Sequence, residues 1–138
     1  MTQWANSLIR ISGYEVETLQ KRLADISTRR AAAEMRLAVL DAEMEVEKSR
    51  AADDQQAAML MPAYTTGWKI RKGLAESDLA VVTVEEDGAR DALSRAFEEL
   101  KKFEHVAEMT RLGKVKAEAR AETAALDELA GRRKKKKA

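Results

Sequence analysis

Apolar residues recur along this chain in alternating steps of three and four. The cleanest run is Leu79, Val82, Glu86, Ala89, Leu93, Ala96, Leu100, Phe103 and Ala107, in which only Glu86 is not apolar. Alternation of this kind is a heptad seam, which lets one helix bury a narrow stripe against another. The seam extends backwards through Ala75 and Lys72 to Trp68. A second seam runs Ile9, Ser12, Val16, Leu19, Leu23, Ile26, Arg30, Ala33, Leu37, Leu40, Met44, Glu47 and Ala51, with ten of the thirteen positions apolar. The two seams predict two long helices.

The break between them falls where the pattern fails, in Asp53-Asp54-Gln55-Gln56 and Met59-Leu60-Met61-Pro62. Proline inside a helix loses a hydrogen bond and clashes with the preceding turn, but it suits the first helical position. The expected layout is therefore a first helix over 7–58, a tight turn at 58–61 and a second helix over 62–130. At 1.5 Å per residue these helices span ~75–80 Å and about 100 Å. Gly67, Gly73, Gly88 and Gly113 weaken the second, and Gly131 suits its C-terminus.

A short turn makes consecutive helices antiparallel neighbours. A fold point near residue 59 or 60 pairs residues whose numbers total about 119. Leu40 then meets Leu79, Leu37 meets Val82, Ile26 meets Leu93, Leu19 meets Leu100 and Val16 meets Phe103. Glu47 falls opposite Lys72, and Arg30 lies diagonal to Glu86, so the polar exceptions in the seams pair by charge. Beyond residue 112 the second helix has no partner left on the first. Val115, Ala119, Leu126 and Leu129 then belong to a single projecting helix, which is marginal in water unless another protein orders it. The expected fold class is all-α: a long antiparallel two-helix coiled-coil hairpin with a basic, disordered C-terminal tail. Heptads do not declare whether partner helices share a chain, so an intermolecular coiled coil stays open.

Composition supports this reading. Ala, Glu, Lys, Leu and Arg supply 79 of 138 residues, and aromatics only 4%, which suits long helices rather than a wide globular core. No cysteine is present for a disulfide or a thiolate metal site, which fits a reducing cytoplasm. No apolar run approaches the roughly 20 residues that span a bilayer, and the first residues lack a signal core. The net charge of +1 conceals an asymmetry. Arg132, Arg133, Lys134, Lys135, Lys136 and Lys137 carry six positive charges, and the residues before them sum to −5. Self-repulsion predicts disorder over 131–138.

Each helix carries a second apolar ridge away from its seam. On the first it is Met35, Val39, Ala42 and Val46; on the second it is Ile70, Leu74, Val81 and Val84. Outward apolar ridges at matching heights mark a partner-binding surface, against the plainer reading that scattered surface aliphatics need no explanation. Tyr64 and Trp68 lie beside the turn as aromatic anchors, or Trp68 closes the seam against Ala51. The basic run attracts anionic partners without reading sequence, which argues against specific nucleic-acid recognition. His105 is alone and reads as a surface residue. Carboxylate pairs such as Glu43 and Glu47 have nothing to enclose them. No phosphate loop, nucleophile elbow or metal spacing is present, so the residues imply no enzyme, no cofactor, no metal and no small-molecule substrate.

Three stretches add a resemblance. Ser7-Leu8-Ile9-Arg10 opens the first helix, Pro62-Ala63-Tyr64 marks the turn, and Ala96-Phe97-Glu98-Glu99-Leu100-Lys101-Lys102-Phe103-Glu104 lies in the second helix. With their order and spacing, the chain resembles the flagellar export FliJ family of alphaproteobacteria from about Ser7 to Ala107. The resemblance implies a cytoplasmic stalk of the flagellar type III export apparatus, peripheral to the inner face of the cell membrane. It implies three kinds of partner: the export ATPase ring, the cytoplasmic part of the membrane export gate, and free substrate chaperones. It does not transfer gate contacts to individual residues, and Arg132–Lys137 is more basic than the family leads one to expect. The competing readings are a generic coiled-coil adaptor or chaperone, and a nucleic-acid-binding arm driven by the basic run.

Overall fold

The structure is a computed structural model that describes residues 2–137; the side chains of Thr2 and Lys137 and all of Met1 and Ala138 lie outside the described residues. The fold is all-α. Helix α1 spans Thr2–Asp53 and helix α2 spans Gln55–Lys137, with Asp54 between them. All thirteen seam positions on α1 and all twelve on α2, from Trp68 to Ala107, are buried or half-buried.

The turn is not where proline placed it. The side chain of Asp54 accepts a hydrogen bond from the Gln56 amide at 3.0 Å, which is N-cap chemistry for α2. Pro62 sits inside α2 rather than at its start. Its missing N–H leaves one carbonyl of the preceding turn without a helical donor, and Ala58 and Pro62 are both exposed, so water can serve that group. Capping by aspartate thus decided the boundary, and the expected ranges of 7–58, 58–61 and 62–130 are corrected accordingly.

Contacts divide the chain into two units. The larger, 17–94, is an antiparallel pair of helix segments. Ile26, Val82 and Ala89 form its buried centre, flanked by Leu23, Ala33 and Leu79. Ion pairs run along its edges: Arg29 with Glu85, Arg36 with Asp78 at 3.7 Å, Asp41 with Lys72 at 3.1 Å, and Glu43 with Arg71 at 3.4 Å. Paired residues here total 113–116 rather than 119. The register is therefore slipped by about one seam step from the expected one, as a turn nearer Asp54 requires. Ile26 packs on Ala89 and Val82, not on Leu93. Lys72 pairs with Asp41, while Glu47 is held by Arg50 on its own helix at 3.3 Å.

Glu86 is the polar centre of this unit. It is 2% exposed, the most deeply buried large side chain among the described residues. Its carboxylate accepts hydrogen bonds from Arg30 Nη1 at 2.6 Å and Ser27 Oγ at 3.1 Å, and Arg90 Nη2 lies at 3.2 Å. The hydrogen bond from Arg30 holds its pKa below the ordinary carboxylate value. Burial opposes that shift, while Ser27 and the charges of Arg30 and Arg90 add to it.

The second unit joins residues up to Val16 with those from Arg95 onward. Ala5, Ser12 and Val16 of α1 are buried, as is Ala96 of α2. Ala5, Asn6 and Ile9 share an open groove with Glu104, Ala107, Glu108 and Arg111. From Glu108 to Lys136 every side chain is exposed. The helix does not stop at Gly131: no glycine has positive φ, and residues 131–137 are helical, so the expected disorder of the basic run is corrected. Arg and Lys are themselves good helix formers, which keeps helix propensity high there.

Two predictions follow from the larger unit. Ile26→Ala removes a side chain that is 3% exposed and should destabilise by ~2–5 kcal/mol in urea denaturation, whereas Val39→Ala at an exposed position should change stability by less than ~0.5 kcal/mol. Because Glu86 has a lowered folded-state pKa, its stabilisation is complete above the ordinary value near 4.5 and is lost as pH falls below it. The urea midpoint should therefore fall from about pH 5 to about pH 3, and more gently in Glu86→Gln than in the parent protein. Identical slopes in the two proteins would show that Glu86 is not linked to folding.

Candidate partner-binding surfaces

The seams consume one face of each helix and leave the back faces free. On α1 each ridge residue follows a seam residue by two: Met35 after Ala33, Val39 after Leu37, Ala42 after Leu40 and Val46 after Met44. On α2 the same offset places Ile70 after Trp68, Leu74 after Lys72, Val81 after Leu79 and Val84 after Val82. Two residues turn a helix by about 200°, so both ridges point away from the helix–helix contact. All of them are exposed: Val39 at 47%, Leu74 at 60%, Val84 at 72%, and Met35, Val46, Ile70 and Val81 between these limits. Ala42 is exposed as well.

The edge ion pairs fix their heights. Val39 lies between the Arg36–Asp78 and Asp41–Lys72 pairs, and Leu74 occupies the same interval on α2. The two ridges thus overlap in height while facing opposite ways. Covering aliphatic side chains of this kind removes apolar surface from water at about 25 cal/mol per Å². Nothing inside the unit does so.

Trp68 is committed to the hairpin rather than to the ridge. It is half-buried, its indole N–H donates to the Leu40 carbonyl at 2.6 Å, and the Lys72 ammonium lies 4.9 Å from its ring centroid. Across the seam it meets Leu40 through the indole hydrogen bond. Tyr64 is half-buried, with the Arg71 guanidinium 5.8 Å from its ring centroid, and lines an open groove beside the turn with Leu60, Met61, Glu47 and Arg50. Beside that groove Met59 is 77% and Leu60 68% exposed. Sequence reasoning passed over both by treating the Met59–Met61 run as an interruption of the pattern. The signal was there, since an apolar run placed off the seam has no internal surface to cover.

Arg132, Arg133, Lys134, Lys135 and Lys136 lie on exposed helix, in the other unit, with Arg132 paired to Glu128 at 2.9 Å; the side chain of Lys137 is outside the described residues. His105 is exposed. Glu108 and Arg111 form a two-pronged pair at 2.7 and 3.1 Å, whose hydrogen bond holds the Glu108 carboxylate below its ordinary range against the opposing effect of burial. No helix among the described residues is long and apolar enough to cross a membrane.

Known proteins place the chain by sequence rather than by family model or solved structure. No family model matches it, and no solved structure matches it. Two relatives from Caulobacter vibrioides, in strains NA1000 / CB15N and CB 15, are each named Flagellar FliJ protein. Each is 53% identical to the chain over 133 residues, covering 96% of the chain and 96% of the relative. Identity at this level over nearly the whole of both sequences shows that the chain belongs to the flagellar FliJ protein family.

Proposed function

We propose that the protein is a non-enzymatic component of the flagellar type III protein export apparatus, working entirely through its outer faces. In this reading it is a coiled-coil stalk that meets the export ATPase ring, connects it to the membrane export gate and handles free substrate chaperones. It works in the cytoplasm, peripheral to the inner face of the cell membrane. The observation that carries the reading is the identity of 53% across nearly the whole chain to flagellar FliJ proteins. The exposed back-face ridges support it physically, because they give the hairpin adhesive surfaces that its own fold leaves uncovered.

The mechanism is one of separated contacts on a stiff element. The buried seam and the Glu86 cluster fix the two helix segments of the larger unit against each other, so binding on α1 and on α2 draws on a preformed surface and orders little further chain. The two ridges face apart, so each meets its own partner surface, or one partner wraps the hairpin. The export gate is assigned to the ridges.

Val39→Asp and Leu74→Asp test this assignment, since both positions are exposed and tolerate charge without loss of helix. Helical content by circular dichroism should stay unchanged, while capture of the cytoplasmic part of the export gate should fall by about tenfold or more, as expected for an interface anchor. Undiminished capture by both variants removes the ridges from the gate contact. A strain lacking the protein should fail to swim, and a swimming strain with normal filaments contradicts the export role itself.

A further inference from the structure

We propose that α2 docks on the surface of an anionic lipid bilayer through the face that carries Leu126, Leu129, Arg133 and Lys136. These residues follow one another by three, four and three along a continuous helix, so they lie on one side of it. Leu126 is 66% and Leu129 56% exposed. With Ala130 and Arg132 they line a single open groove on that side. The acidic residues of the same stretch, Asp127 and Glu128, lie off this face, and Glu128 is occupied by Arg132. Arg133 and Lys136 have no ion-pair partner among the described residues.

Two leucines beside unpaired cations match the boundary layer of a bilayer. Aliphatic side chains enter the acyl edge while long basic side chains reach the head-group phosphates. Charge complementarity selects acidic lipids: residues 126–137 hold six basic and two acidic side chains. A nucleic acid would use the cations but has no place for the leucines, and no phenylalanine, tyrosine or tryptophan follows Phe103 to stack on bases. With no spanning helix among the described residues, the contact lies in the plane of the surface. It requires no other protein, which sets it apart from the export contacts proposed above.

The test is co-sedimentation of the full-length protein with vesicles of phosphatidylcholine alone and of phosphatidylcholine mixed with phosphatidylglycerol. The protein should pellet with the mixed vesicles and not with the neutral ones, and added salt should weaken binding. Arg133→Gln with Lys136→Gln should weaken it by at least about tenfold. Leu126→Gln with Leu129→Gln, which leaves the charge unaltered, should weaken it by a similar factor with helical content preserved. Equal pelleting with both vesicles, or none with the acidic ones, overturns the proposal. So does acidic-vesicle binding that ignores the leucine substitutions, which reduces the contact to bare charge attraction. Binding to duplex DNA without binding to acidic vesicles reassigns the face to nucleic acid.

Discussion

A carboxylate buried between two helices has few places to go, and that constraint sets the register of this hairpin. Glu86 occupies a seam position where a leucine would pack as well or better, and it is 2% exposed. It is tolerable there because Arg30, Ser27 and Arg90 surround it with donors. Sliding one helix past the other by a seam step keeps apolar residues opposite apolar residues but strips Glu86 of Arg30 and Ser27 on α1. Leaving a buried charge without its partner is far more costly than exchanging one alanine for another, so the polar cluster selects among alignments that the apolar seam leaves nearly equal. The Asp54 cap agrees with that choice by setting the reversal early enough for the pair to meet.

The burial pattern was legible in the sequence because heptad spacing encodes it directly. Every residue assigned to a seam is covered, and every aliphatic residue assigned to a ridge is exposed. The register was not legible, for a physical reason: a periodic seam looks the same after a slip, so only its polar exceptions carry information. Two of them, Glu47 and Lys72, offered a plausible pairing and instead found Arg50 and Asp41. Ser27, which helps to satisfy Glu86, lies one residue off the seam and gave no sign. Proline drew the turn too far along the chain because Pro62 is accommodated inside α2, while the reversal is set by the cap at Asp54, which the seam pattern marked only as a break. The basic run is helical where charge repulsion predicted disorder, since local helix propensity and the Glu128–Arg132 pair act against the repulsion.

These choices decide what the molecule has left to offer a partner. A seam that takes one face of each helix leaves two back faces, and both carry aliphatic residues at overlapping heights. Trp68, a natural anchor by residue type, is drawn inward by its bond to the Leu40 carbonyl, which leaves the ridges purely aliphatic. Met59 and Leu60 add apolar surface at the turn. Membership of the flagellar FliJ family gives these faces a biological setting. The family name says nothing of which residue meets which partner, and that assignment rests on exposure and spacing.

The most direct test of the account is the register itself. The chain has no cysteine, so introduced pairs can be cross-linked without background. Arg36 and Asp78 face each other at 3.7 Å on exposed edges, whereas the alternative alignment places Arg36 near Thr83. In dilute protein, a short bismaleimide should cross-link Arg36→Cys with Asp78→Cys within one chain, and Arg36→Cys with Thr83→Cys far less, since the spacer replaces the reach of the Arg36 and Asp78 side chains. Preference for the second pair, or bridges found only between chains, would contradict the hairpin.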